Sequence, residues 1–155
     1  MQDLTSELTV IRQAFEDDVP AVLNCVRAAY AKYRTRVDRE LAPVLADYDA
    51  LVAREVVWVL DVTQRIQGVL VMYPQSDSLF IENVAVHPDA QGRGYGKRLL
   101  LFAEEQARLH GMDALSLYTN EVLTENISHY KRFGYVETDR RIEDGYRRVY
   151  LTKHV

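Results

Sequence analysis

One cysteine, four prolines and one tryptophan occur in 155 residues. A lone cysteine cannot close an intrachain disulfide, which excludes the stapled architecture of small secreted domains. No apolar run nears the roughly 20 residues that a membrane span needs. The longest are Val56-Val57-Trp58-Val59-Leu60 and Gly68-Val69-Leu70-Val71-Met72-Tyr73, so no membrane association is expected. The net charge of -4 is mild, and acids are interspersed among the basic clusters Arg27 to Arg39 and Arg140 to Arg148. These read as solvated faces, with reception of an anionic cofactor or substrate as the lesser alternative, and no nucleic-acid partner is expected. His87, His110, His129 and His154 show no metal-ligand spacing, so neither a structural nor a catalytic metal is expected. Met1 to Glu7 lacks the basic and apolar blocks of a signal peptide and reads as a flexible lead, which points to a cytoplasmic protein.

What remains suits one domain spanning residues 1–155, a length that buries roughly 68–70% of the unfolded surface. Val10 to Arg12 reads as a first strand. Asp17-Asp18-Val19-Pro20 is a good helix start, and the apolar spacing carries that helix through about Tyr33. A second helical piece is expected over Val44 to Ala53. Strands at Val56 to Asp61, Ile66 to Tyr73 and Ser78 to Val86 form an antiparallel meander. A helix from about Gly94 to His110 stops beside Gly111, and a strand follows at Ala114 to Tyr118. The next helix runs from Thr124 to Phe133, and Tyr135 to Asp139 pairs with Tyr146 to Thr152 across Glu143-Asp144-Gly145. The order β-α-α-β-β-β-α-β-α-β-β implies an α/β (α+β) fold, a mixed, mostly antiparallel sheet covered by helices. Cys25 falls in the apolar pattern of Val19, Val22, Leu23 and Val26 and reads as a buried thiol.

Between the meander and the long helix lies Val86-His87-Pro88-Asp89-Ala90-Gln91-Gly92-Arg93-Gly94-Tyr95-Gly96-Lys97. Glycines let backbone N–H groups approach an anion, and a helix start leaves such donors unpaired. Arg93 adds a positive charge. Neither the dinucleotide fingerprint nor the P-loop fits: Lys97 stands at the third glycine of the first, and Gln91 and Arg98 at the first glycine and the hydroxyl residue of the second. The spacing present is Gln-x-x-Gly-x-Gly; a plain turn before a surface helix would use the same residues.

With this loop, the later run Asn126-Ile127-Ser128-His129-Tyr130-Lys131-Arg132-Phe133-Gly134-Tyr135 resembles the GNAT superfamily of N-acetyltransferases, over residues 78 to 137 in motif and nearly the whole chain in element order. The resemblance implies an acyl-CoA N-acyltransferase-like fold and transfer of an acetyl group from acetyl-CoA to a primary amine by direct attack. It places the pyrophosphate on Gln91, Gly92, Arg93, Gly94, Tyr95 and Gly96, and the pantetheine beside the backbone of Val84 and Val86 in a distorted strand. Tyr130 occupies the position of the general acid; on its own it would equally be an aromatic packing with Phe133.

Glu82, an acid inside an apolar strand, is the candidate base, acting directly or through water; it would otherwise anchor substrate or be an ordinary hydrogen-bonded acid. The histone-directed branch of the superfamily carries its base two residues earlier, at Phe80 here. Asn126 lies four residues before Tyr130, whereas relatives place a cofactor-contacting asparagine seven before, at Leu123 here. It would reach the pantetheine from a displaced site or brace the helix start. The acceptor would be a small-molecule or protein amine, with Tyr30, Tyr33, Asp38, Asp47, Tyr48 and Asp49 flanking its entrance and favouring a cation. Two readings compete: an acyl-CoA-binding regulatory module, and a structural interaction protein. Edge strands near the C-terminus allow a homodimer.

Overall fold

The computed structural model describes residues 8–155, and the lead expected at residues 1–7 lies outside them. Seven strands form one sheet: β1 (Thr9–Gln13), β2 (Val57–Val62), β3 (Arg65–Gln75), β4 (Ser78–Val86), β5 (Ala114–Asn120), β6 (Val136–Glu143) and β7 (Tyr146–His154). They lie in the order β1-β2-β3-β4-β5-β7-β6. Every neighbouring pair is antiparallel except β4–β5. The mixed, mostly antiparallel sheet expected from the sequence is therefore present.

Both faces are covered, which explains the near-continuous apolar runs of β2 and β3. On one face α1 (Val19–Tyr30), α2 (Ala42–Leu45) and α3 (Tyr48–Ala53) enclose Val22, Val26, Tyr33, Leu51, Val59 and Val71. Cys25 is buried there, and burial pushes its thiol up to about 12. The opposite face packs α4 (Tyr95–Leu109) and α5 (Thr124–Arg132) over Leu70, Met72, Leu99, Ala103, Leu115 and Leu151. Close approach of α4 is built into Gly68, where a Cβ would lie 3.0 Å from Leu99 Cδ1 and 3.2 Å from Leu60 Cβ.

Boundaries moved where local geometry outweighed periodicity. The first helix ends at Tyr30 and tightens into a 3-10 segment, Ala31–Arg36. The expected second helix is two pieces, because Asp47 starts α3 afresh by accepting from the Ala50 N–H at 3.1 Å. β3 runs through Pro74, tolerated because β2 pairs with it only as far as Val71. The final hairpin is longer than expected and turns on Asp144-Gly145 alone, both at positive φ, between paired Glu143 and Tyr146.

Two irregularities position the site. Met72 pairs with Ile81 and Val71 with Asn83, so Glu82 is an extra residue bulged out of β4. Parallel pairing with β5 covers only Leu79–Ile81 against Leu115–Leu117 and ends where the bulge begins. A bulge bends its strand, and past Ile81 the two strands part. At the closed end the Ser78 and Ser116 hydroxyls meet at 2.8 Å.

Candidate active site

Two cavities follow the parting of β4 and β5. One, of 480 Å³, lies between β4, the end of α1, the start of α4 and α5. The other, of 230 Å³, is walled by β4, β5, the α2 region and β7. Tyr30, Val84 and Tyr130 line both, so the cavities meet at these residues.

The larger cavity is rich in backbone donors. The His87 N–H bonds the Gln67 carbonyl of β3 at 2.9 Å. Alternation along an antiparallel strand then turns the N–H and C=O groups of Val84 and Val86 the other way, toward the edge that β5 has left. The Gln91 amide uses that edge, donating to the Val86 carbonyl at 3.3 Å. In α4 the first helical bond runs from the Arg98 N–H to the Gly94 carbonyl at 3.0 Å, leaving the N–H groups of Tyr95, Gly96 and Lys97 without an intrahelical acceptor. Gly92 and Gly94 hold φ of +83° and +78°, where a side chain would be strained. Gly96 needs no such freedom here, since a Cβ would meet only Val86 Cγ2 at 3.8 Å. Lys32 and Lys97 are the cations on this wall; Arg93 is exposed on the loop and does not line it.

One face of α5 presents Glu125, Asn126, His129 and Tyr130 to the same cavity, joined by Phe133 just past its end. Asn126 Oδ1 accepts from the Tyr33 hydroxyl at 3.5 Å, a long contact that holds it against α1's extension. Arg36 pairs with Glu125 at 2.7 Å, and this hydrogen bond lowers the Glu125 carboxyl to about 2. The Tyr130 ring meets Tyr135 edge-on, centroids 5.5 Å apart. Among the described residues no group hydrogen-bonds the Tyr130 hydroxyl, and burial raises its pKa well above the ordinary phenol value. A hydroxyl in that state keeps its proton throughout the neutral range and has its bond to give to something in the cavity.

Glu82 lines the smaller cavity. One of its oxygens accepts from the Tyr73 hydroxyl at 3.0 Å, and burial, then the neighbouring carboxylate, push that phenol up to about 12. Next along the strand, Asn83 is buried and serves two tyrosines: its Oδ1 accepts from Tyr30 at 2.7 Å and its Nδ2 donates to Tyr48 Oη at 3.2 Å. The Tyr48 hydroxyl in turn donates a hydrogen bond to the Pro43 carbonyl. This chain ties α1, β4 and the α2–α3 region together beside the bulge. Tyr118, Tyr146 and Arg148 complete the far wall.

Among residues expected near the acceptor entrance, Tyr30 lines both cavities and Tyr33 the larger one. Asp38, Asp47 and Asp49 are exposed and line neither, Asp47 being spent on its helix cap, and the Tyr48 hydroxyl is consumed within the core. Sequence reasoning missed Lys97 and Asn83, and met Lys32 and Arg148 only as members of basic clusters read first as solvated faces. The signal for Arg148 was its alternation with Tyr146 and Tyr150 on one strand, which sets it among aromatic rings instead of on a solvated face. Among the described residues no cluster of three or more His, Cys, Asp or Glu could hold a metal, and no helix is long and apolar enough to cross a membrane.

A family model described as an acetyltransferase (GNAT) domain matches residues 53–137, over half of the 155-residue chain. The chain belongs to the GNAT family. The matched part of this GNAT domain holds the β4 bulge, the glycine loop and Tyr130. A curated relative, the uncharacterized N-acetyltransferase YjgM of Escherichia coli (strain K12), is 26% identical over 148 residues, covering 90% of this chain and 89% of its own. Among solved structures, the PaiA N-acetyltransferase of Thermoplasma acidophilum in complex with coenzyme A matches with a TM-score of 0.79 at 15% identity, covering 96% of this chain and 99% of that one. The yncA protein of Salmonella typhimurium with acetyl-CoA gives 0.71 at 18% identity, covering 95% and 94%. Both likenesses show that the GNAT fold extends over almost the whole chain.

Proposed function

We propose that this GNAT domain transfers the acetyl group of acetyl-CoA to a primary amine by direct attack. The observation that carries the reading is the meeting of two cavities at Tyr130 and Val84, one rich in backbone donors and the other bearing a carboxylate. The Thermoplasma structure holds coenzyme A and the Salmonella one acetyl-CoA. The residues present fit coenzyme A: three N–H groups without an intrahelical acceptor at the start of α4, with Lys32 and Lys97, suit a pyrophosphate, and the open edge at Val84 and Val86 suits the amides of a pantetheine arm.

When bound, acetyl-CoA supplies an activated acyl carbon and, once the amine has attacked it, a thiolate that needs a proton. Glu82 takes the proton of the attacking amine, directly or through water, as the N–C bond forms and the C–S bond breaks. Tyr130 gives its proton to the departing sulfur, and its raised pKa ensures that the proton is there to give. The Tyr73 hydroxyl fixes the carboxylate from behind. Donors on the open edge of β4 steady the charge that develops on the acyl oxygen.

Calorimetric titration of cofactor-free protein with acetyl-CoA, followed by an amine panel read by thiol release, tests the proposal. One-site binding with acetylated product is expected. Absence of binding across salt and pH conditions overturns it; tight binding with no amine acetylated replaces it with the regulatory module.

A further inference from the structure

The smaller cavity carries a cation that the proposed chemistry does not use. Arg148 lies on its wall with its side chain 14% exposed. Its guanidinium stands 4.3 Å over the Tyr118 ring and 5.8 Å from that of Tyr146. The carboxylates near it, Glu143 at 3.8 Å and Asp144 at 3.7 Å, lie beyond hydrogen-bond distance. Glu143 is engaged by the Tyr150 hydroxyl, and Asp144 is 82% exposed. Arg39, which stacks on Tyr146 at 3.7 Å and donates to the Asp144 carbonyl, adds a second positive charge at this rim. The two carboxylates thus orient the Arg148 fork while, among the described residues, no acceptor bonds its five N–H donors.

We infer that the acceptor is a small amine that also carries a carboxylate, an amino-acid-class compound whose amine lies toward Glu82 and whose carboxylate is received by Arg148. This rests on the acetyltransferase reading and names its substrate class. The volume of 230 Å³ falls below the about 300–1,000 Å³ of sites for drug-sized ligands, which suits a compound of amino-acid size. A polyamine would bring a second ammonium against the guanidinium, whereas a carboxylate accepts its paired donors. The acids that would have favoured a cation, Asp38, Asp47 and Asp49, do not line the cavity.

The test compares the common α-amino acids and β-alanine with their carboxamides and with diamines, at alkaline pH so that amine protonation does not set the ranking. A preference in kcat/KM of about tenfold or more for at least one acid over its amide is expected, the worth of a charge-assisted pair. Arg148→Gln should bring that ratio close to one, chiefly through KM. Arg148→Lys should restore it in part. Titration of both variants with acetyl-CoA shows whether they still fold and load. Acetyl-CoA binding with amides or diamines as good as acids overturns this inference alone, as does binding with no acid either acetylated or bound. Failure of acetyl-CoA to bind the unaltered protein removes the underlying reading instead.

Discussion

The Tyr73 hydroxyl donates to the Glu82 carboxylate at 3.0 Å, at the residue that interrupts the β3–β4 ladder. An acid in this setting is held in one orientation by a neutral donor. Tyr73→Phe should lower kcat about 2- to 10-fold, the range of a single net hydrogen bond. Because that phenol is pushed up to about 12, the loss should be the same at every pH from roughly 6 to 10, below the titration of the hydroxyl.

Glu82→Gln removes the carboxylate proposed as the base. Turnover should fall about a hundredfold or more, most where the acceptor amine is still protonated. A pH–rate profile with a uniform reduction at all values would assign the carboxylate to anchoring.

For Tyr130→Phe the expected loss in kcat is also about a hundredfold, with acetyl-CoA affinity in calorimetry little changed. The sign of the pKa shift gives a second check. Burial raises the phenol, so the protonated, donating form persists past the ordinary value near 10. The alkaline limb of the wild-type profile should therefore not begin below about pH 10 on account of this group.

Asn83 holds two buried tyrosine hydroxyls. Asn83→Leu should cost about 1–3 kcal/mol in thermal unfolding by stranding Tyr30, whose hydroxyl then lacks a partner. Tyr48 keeps the Pro43 carbonyl. Adding Tyr30→Phe should recover part of the loss, giving a double variant less destabilised than the sum of the singles.

The loop glycines should separate into two kinds. Gly94→Ala, at φ +78°, should lose roughly 1–2 kcal/mol of stability through backbone strain. Gly96→Ala, in ordinary helix geometry with its nearest foreign atom 3.8 Å away, should melt as the parent does or up to about 1 kcal/mol more stably. If its affinity for acetyl-CoA nonetheless falls, the added methyl obstructs the ligand and not the protein, which locates the phosphate passage without a bound structure.

The residues legible in the sequence were those whose local chemistry admits few settings. Gly92 and Gly94 before an amphipathic run announce a left-handed turn into a helix, and Cys25 among valines announces a buried thiol. Glu82 was legible as an anomaly, an acid in an apolar strand, but its bulge was not, because an extra residue in one strand is defined only against its partner's register. The break between α2 and α3 was hidden because apolar spacing continues across Asp47, whose capping bond depends on a backbone reversal. Arg148 was read with its neighbours first as solvated surface; its alternation with Tyr146 and Tyr150 hinted at an aromatic setting, and the pairing of β7 with β5, which brings Tyr118 opposite Tyr150, completes it.

The three-residue contact between β4 and β5 has one more consequence. Because the two cavities occupy a rift in the sheet itself, the strands that wall them are held on their other edges, β4 by β3 and β5 by β7. The Ser78–Ser116 hydroxyl pair at 2.8 Å closes the rift at one end, and neither serine lines a cavity. The width of the opening is thus written into backbone pairing and not into a loop.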